Sequence, residues 1–404
     1  MLKRQLLFNR YSALTAMLLV CAVYFCACFS VPEQHPEIAK VQEASSLNLP
    51  QLHKYTEIPQ DAYFITQLTS SKKALCSIIY DGIMNFESEI RFTEPVNENE
   101  LKELMWLLSY DCPELFQFSG EYAYYVRESE KEHVLSIQPH YLMTKAEYEG
   151  AVLSVEELLS AWLNETALMD DYAKEQLIYD KLIEVCTYEE DGKHSGTAYG
   201  ALIEGKARCE GYSKAMCLAL RKANIETMVL TGSAWDNRKP RSVRQAHAWN
   251  VANIDGSYYH LDATWDDNDQ FGTCYAYFNV TDDVITKSRE LDEVYSGFNL
   301  PPAAEITYNF YIQTGRYIYY GEDVSQLFRE ALERAYTNNS PVVLLRLETD
   351  SQAEYFSENL AKWMKEWFEQ KKFSRGSYTF SVYPDSRVFC IFDIEYSSFN
   401  AAMP

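Results

Sequence analysis

Along this chain, apolar residues recur three and four positions apart in some stretches and every second position in others, which predicts alternating helices and strands. The first such region, 61–143, reads as a small α+β unit. A helical spacing covers 71–84 and an extended one covers 89–92. Asn97-Glu98-Asn99-Glu100 precedes a helical run over 101–110. A short polar side chain at that point accepts backbone N–H bonds that the first helical turn leaves unmet. The stretches 121–127 and 134–142 are rich in Tyr and Val and read as strands.

The pattern then turns helical. Ser154 and Glu157 have the spacing of a capping box, and Val155, Leu158, Leu159, Trp162 and Leu163 follow on one face. A second helix is predicted over 170–186, with Ile178, Leu182 and Val185 on one side. After Gly205 the chain turns into a helix starting near Cys209. Tyr212, Met216 and Leu220 repeat along it, Arg221 and Lys222 suit its C-terminus, and Asn224 is a left-handed stop. Strands are predicted at 227–230, from Gln245 through Val251, and across a turn at Asp255-Gly256-Ser257 up to Asp262, the last two pairing as a hairpin. A short aromatic strand follows at 274–280.

Pro301-Pro302 marks a boundary, and the remainder alternates as a compact α/β unit. Its expected elements are strand 308–312, helix 323–336, strand 342–347, helix 351–370 and strands 378–383 and 388–394. Asp323 with Gln326 and Ser351 with Glu354 are the expected caps. The expected division is a leader at 1–30, a Pro-containing tether at 31–60, an N-terminal α+β unit at 61–150, a central domain at 151–300 and a C-terminal α/β unit at 301–404.

Composition narrows the class. Apolar residues make up 47% of the 404 and aromatics 14%, too many for a disordered chain. A formal net charge of -23 argues against nucleic acid or an anionic membrane surface as a partner. Lys3, Arg4 and Arg10 precede an uncharged run from Tyr11 to Val31, the order of an export leader. The run is also long enough to remain as a membrane span. Phe25-Cys26-Ala27-Cys28 resembles the lipobox of bacterial lipoproteins, with Phe25 and Cys26 departing from its usual residues. Lipidation at Cys28, a retained anchor and a cleaved signal stay open, and each places the folded part outside the cytoplasm.

Three of the 10 Cys lie in the leader, and the other seven show no C-x-x-C or C-x-x-H spacing. Neither a zinc framework nor a disulfide scaffold is expected, and no cofactor is implied. The acids at 262–269 do not form an EF-hand loop, because Phe271 stands where an oxygen ligand is needed.

The candidate chemistry is a thiol, an imidazole and a carboxylate in that order, each at the edge of a predicted element. Cys209 at a helix N-terminus meets the positive end of the macrodipole, which favours thiolate. Alone it reads more readily as a buried helix cysteine, as Cys217 does. His247 lies on a strand that can hold an imidazole rigidly for proton transfer. Asp262, across the hairpin, can orient that ring. His260 points the same way as Asp262 by the two-residue period, so a swapped role for it stays open.

Gly-x-x-x-Cys-Glu-Gly-Tyr at 205–212, His-Ala-Trp-Asn at 247–250, Asp-Gly-x-Tyr-Tyr at 255–259 and Asp-Ala-Thr-Trp-Asp-Asp at 262–267 together resemble the bacterial transglutaminase-like superfamily. The resemblance covers roughly 150–290. It implies an α+β fold with a papain-like core, a helix packed on antiparallel sheet, flanked by the smaller N- and C-terminal units. It also implies Cys209 as nucleophile, His247 as base and then acid, and Asp262 as orienter. Trp249 and Trp265 would wall the cleft and Tyr199 would line it. Arg208 stands where the family commonly has a small or apolar residue. The implied reaction is acyl transfer through a Cys209 thioester on a peptide or glutamine carboxamide bond of a peptide or protein substrate. Hydrolysis is expected first; a cross-linking transglutaminase and a catalytically idle surface scaffold are the alternatives.

Overall fold

The computed structural model of the chain describes residues 58–127, 130–237, 243–268 and 270–398. The leader, the Cys28 lipobox and nearly all of the expected tether lie outside them. No helix among the described residues is long and apolar enough to cross a membrane.

The N-terminal part contains helix α1 (Ser70–Met84), strand β1 (Ile90–Asn97), helix α2 (Glu98–Asp111) and strands β2 (Phe118–Arg127) and β3 (Glu130–Tyr141). The strands form an antiparallel sheet in the order β1-β3-β2. Asn97 caps α2 as its spacing predicts, its side chain accepting from the backbone N–H groups of Asn99 and Glu100. The next helix differs from expectation. α3 (Lys145–Glu165) starts nine residues before Ser154, because Thr144 and Glu147 form the capping box. Ser154 lies inside the helix and donates its hydroxyl to the Gly150 carbonyl instead.

Helix α4 (Asp171–Val185) is capped by Asp170. A parallel pair of two-residue strands, β4 (Thr187–Tyr188) and β5 (Lys206–Ala207), then brackets a π-helical turn at Gly200–Glu204. Gly205, at φ +68°, ends that turn. Helix α5 (Cys209–Lys222) packs against strands β6 (Thr227–Ala234) and β7 (Gln245–Ile254). Asn224, at φ +61°, stops it. β7 turns through Asp255 and Gly256, both at positive φ, into β8 (Ser257–Leu261), with Ile254 opposite Ser257. These angles match the twist of the paired strands, so the Asp-Gly pair sets the hairpin register. Helix α6 (Ala263–Asp266), strand β9 (Phe278–Val280), helix α7 (Asp282–Ile285) and strand β10 (Arg289–Leu291) complete an antiparallel sheet in the order β10-β6-β7-β8-β9.

The C-terminal part contains helix α8 (Phe310–Gln313), strand β11 (Tyr317–Ile318), helix α9 (Val324–Thr337), strand β12 (Val343–Leu347), helix α10 (Asp350–Gln370) and strands β13 (Phe373–Tyr383) and β14 (Val388–Ser398). The sheet order is β11-β12-β14-β13. The strand expected at 308–312 is helical, because the Asn309 side chain accepts from the Tyr311 N–H and starts a turn. Thr349 and Gln352 cap α10 in place of Ser351 and Glu354.

The cores cross the expected unit boundaries. One cluster joins Leu104 and Leu108 of α2, Met216 and Leu220 of α5, and Val229 and Val251 of the central sheet. It also takes in Val388, Cys390 and Phe392 of β14. The alternate residues of that strand, Phe389 and Ile391, face a second core with Phe328, Phe356 and Trp363. The first half of β14, Val388–Phe392, is therefore buried on both faces, which is why that stretch is continuously apolar. A buried ion pair ties the N-terminal part to α5: Arg221 Nη2 donates to Asp111 Oδ1 at 2.9 Å. Asp111 also accepts from the backbone N–H groups of Tyr63, Phe64 and Ile65.

Glu175 of α4 is fully buried beside Asn279, whose amide donates to Glu175 Oε2 at 2.6 Å. Burial pushes the Glu175 carboxyl up from 4.5 to about 8. The folded chain thus holds a proton that the unfolded chain releases, and stability falls as pH rises from 4.5 towards 8. Glu175→Gln mimics the protonated carboxyl and offers an N–H to Asn279 Oδ1, which has no hydrogen-bond partner among the described residues. The substitution raises the melting temperature at pH 8, and the gain shrinks as pH falls towards 4.5, measured by thermal unfolding across pH.

Candidate active site

Cys209 is the first residue of α5, and its position is set by what packs over that first turn. A Cβ on Gly211 would lie 2.3 Å from the Ser195 carbonyl oxygen and 2.7 Å from the Ala207 Cβ, so only glycine lets the 195–197 loop close on the helix. Tyr212 donates its hydroxyl to Asp267 Oδ2 at 2.6 Å, joining the Cys-Glu-Gly-Tyr and Asp-Ala-Thr-Trp-Asp-Asp segments directly. From below, Asn250 of β7 donates its amide to the Ser213 carbonyl at 2.9 Å, which pins the helix to the strand bearing His247.

Cys209 and His247 line one narrow pocket of about 20 Å³. Both are nearly buried, at 9% and 7% exposure, and Cys209 is in no disulfide. His247 Nε2 lies 2.7 Å from Asp262 Oδ2. Asp262 follows β8 and caps α6, taking the Trp265 N–H on Oδ1 at 3.2 Å. Burial by itself would raise its carboxyl. The charges of His247 and Arg289 and the hydrogen bonds from both outweigh this and hold it below the ordinary carboxylate value. An ionised Asp262 can only accept, so Nε2 carries a proton, and in the neutral ring Nδ1 keeps its lone pair. A neutral imidazole in that tautomer is a base at Nδ1.

Arg289 is a residue that spacing alone does not mark. It stands on β10, at the edge of the sheet, and donates to Asp262 Oδ2 from Nε at 2.9 Å and Nη2 at 2.5 Å. Neither side chain of this ion pair is exposed. The guanidinium carbon lies 4.2 Å from the Trp265 ring centroid and 4.1 Å from that of Tyr277, in the corner that these two perpendicular rings make. Nη1 donates to Ser288 Oγ at 2.8 Å.

The aromatic residues named from the sequence lie elsewhere than on the pocket wall. Trp249, at 2% exposure, is enclosed and stacks on the His247 ring at 6.1 Å and 14°. Trp265 packs on Arg289 and is tilted against His247 at 5.7 Å. Tyr199 stacks on Phe116 at 5.9 Å and meets the edge of His194. The rings that do line the pocket are Trp106 and Tyr110 of α2, from the N-terminal part. Their helical spacing reads as core, and only the docking of α2 on α5 and β6 brings them here.

His260 does not line the pocket. Burial pushes its imidazole below the usual value. Trp249 Nε1 donates to its Nδ1 at 3.1 Å, so Nε2 carries the proton and donates to Asp282 Oδ1 at 2.9 Å. His260 thereby fixes the indole that stacks on His247. Beside the thiol, Glu210 accepts from Tyr110 Oη at 2.7 Å and from Arg208 Nε at 2.7 Å. Burial alone would raise Glu210, but Lys214, Arg208 and Tyr110 hold it below its ordinary value. Arg208 thus serves Glu210. Among the described residues no group of three or more His, Cys, Asp or Glu is placed to hold a metal ion.

Residues 161–263, which include Cys209, His247 and Asp262, match the sequence model of the transglutaminase-like superfamily. No curated protein sequence matches the chain. Among solved structures, one described as a TGase aligns with 58% of this chain at 10% identity and a TM-score of 0.27. The periplasmic domain of TgpA from Pseudomonas aeruginosa aligns with 33% at 15% identity and a TM-score of 0.21. A protein described as a candidate cysteine protease from Cytophaga hutchinsonii aligns with 33% at 16% identity and the same TM-score, 0.21. The chain spans 59%, 58% and 51% of those three solved chains respectively.

Arg289→Met removes one partner of a fully buried ion pair and leaves Asp262 with His247 and the Trp265 N–H. Equilibrium denaturation of this variant gives a loss of about 3–5 kcal/mol, the cost of breaking such a pair from one side.

Proposed function

This chain carries a transglutaminase-like domain, and from that premise we propose that it is a cysteine acyltransferase in which Cys209 attacks a peptide or glutamine carboxamide carbonyl. The observation that carries the reading is the His247–Asp262 hydrogen bond behind the pocket that His247 shares with Cys209. With Nε2–H committed to Asp262, Nδ1 is left to take the thiol proton. The α5 N-terminus favours the resulting thiolate.

The thiolate forms a bond to the carbonyl carbon, and the carbonyl electron pair moves to oxygen. The backbone N–H of Cys209, at the start of α5, is the first donor for that oxyanion. When the tetrahedral adduct collapses, the C–N bond breaks and His247 gives its proton to the leaving nitrogen. Ammonia or an amine departs and a Cys209 thioester remains. Water then attacks the thioester with His247 as base, and a carboxylic acid and the free thiol are released. Asp262 keeps the ring oriented and stabilises the imidazolium; it takes no proton itself. Arg289 sets how much of the Asp262 charge the ring feels.

Hydrolysis is the favoured outcome because water is the abundant acceptor, and the substrate is a peptide or protein. The basic and apolar leader, Lys3 through Val31, supports a site of action outside the cytoplasm, with the membrane contacted through that segment.

Cys209→Ala abolishes turnover, a fall of at least about 10⁴-fold, as does alkylation of Cys209. Mass spectrometry of a glutamine peptide incubated with the full chain shows the acid product. Incorporation of an added amine would instead assign transamidation. Full activity of the Cys209→Ala protein would refute the nucleophile.

A further inference from the structure

The pocket that holds Cys209 and His247 is also lined by Trp106, Tyr110, Thr231 and Asp292. Asp292 follows β10, in the turn that leads to the 3-10 helix Glu293–Gly297. Its backbone N–H donates to the Thr231 carbonyl at 3.1 Å, and the Thr231 hydroxyl donates to its Oδ2 at 2.5 Å. The carboxylate is thereby aimed from a fixed turn. Below it, Tyr295 donates its hydroxyl to the Val229 carbonyl and accepts the Thr231 N–H at 2.8 Å, and Trp106 packs edge-on against its ring at 5.0 Å.

The pocket's two carboxylates differ in their partners. Glu210 is neutralised by Arg208 and Lys214. Asp292 accepts one hydroxyl through Oδ2, and among the described residues nothing bonds to Oδ1. No Lys or Arg among the described residues lines the pocket. Burial already raises the Asp292 carboxyl, the signature of a half-buried charge without a counter-ion. With about 20 Å³ of space between its walls, the narrow pocket admits a group the size of a water or an ammonium. The Trp106 ring beside the carboxylate attracts such a cation, whereas the Tyr110 ring already faces the Lys214 ammonium at 4.8 Å.

We propose that Asp292, with Trp106, forms a subsite for a primary ammonium that the substrate carries next to the carbonyl attacked by Cys209. This rests on the reading of Cys209 as nucleophile. The substrate is then a peptide presenting a free amino group on the acyl side of the bond that breaks, and the N-terminal part of the chain is a specificity element.

The test uses the full chain and two reagents of equal size, 2-aminoethyl and propyl methanethiosulfonate. Each transfers its alkylthio group to a thiolate and releases methanesulfinate. Rates of modification at Cys209 are read by peptide mass spectrometry and expressed as the ratio of cationic to neutral reagent. In the wild-type protein the ratio exceeds that of a free cysteine peptide by about tenfold, and Asp292→Asn returns it to the peptide value. A wild-type ratio equal to that of the peptide overturns the ammonium subsite without need of a variant, as does a ratio that Asp292→Asn leaves unchanged. Failure of both reagents to modify Cys209 refutes the nucleophile, and the subsite with it. In turnover, acyl donors with a free amino terminus exceed their N-acetylated forms in kcat/KM by about tenfold, a preference Asp292→Asn removes. An effect of the substitution confined to added amine acceptors places the cation on the other substrate and also overturns the proposal.

Discussion

A carboxylate with no exposed surface organises the centre of this protein. Asp262 would be expelled from such a position, or protonated, without compensation. It meets instead an imidazole from β7, a guanidinium from β10 and a backbone N–H of α6. Those donors sit on β7, β10 and α6, so the charge is compensated only when the central sheet is assembled. Assembly in turn decides the tautomer of His247, because an ionised Asp262 leaves the ring only one way to donate. Trp265 and Tyr277 close over Arg289, and Trp249 closes over His247. The polar cluster is thus wrapped in rings that exclude water and strengthen each of its interactions.

A second constraint comes from outside the domain that carries the thiol. Asp111 and Arg221 form a buried pair between α2 and α5, and Asp111 also gathers three backbone N–H groups near residue 64. With α2 held in this way, Trp106 and Tyr110 can stand against the pocket. The C-terminal part is joined by different physics. β14 presents Val388, Cys390 and Phe392 to one core and Phe389 and Ile391 to another, so a single strand belongs to two hydrophobic layers. Composition and proline position suggest separate units, but burial runs across them.

Local readings succeeded where one side chain acts on its own neighbours. Asn97 caps α2 and Asp323 caps α9. Asp255-Gly256 turns the hairpin. Such readings failed where two local signals competed. Thr144-x-x-Glu147 and Ser154-x-x-Glu157 have the same form, and only the first is used, because continuing the helix buries Tyr148 and Ala151. At α10 the same competition favours Thr349 over Ser351. Around 309 an aromatic run with strand character becomes a helical turn, because Asn309 bonds to the local backbone and to the Phe278 and Asn279 carbonyls.

The order of thiol, imidazole and carboxylate, the glycines at 205 and 211 and the hairpin between His247 and Asp262 were all determined by the sequence itself. Each depends on bonds between residues close in the chain or on spacing within one element. The partners of those groups were decided only by tertiary structure. Arg289 beneath Asp262, His260 behind Trp249, and Trp106, Tyr110 and Asp292 around the pocket reach the site across sheet and helix packing. That packing depends on which apolar faces can be buried together, and a buried charge accepts only the partner that this packing delivers.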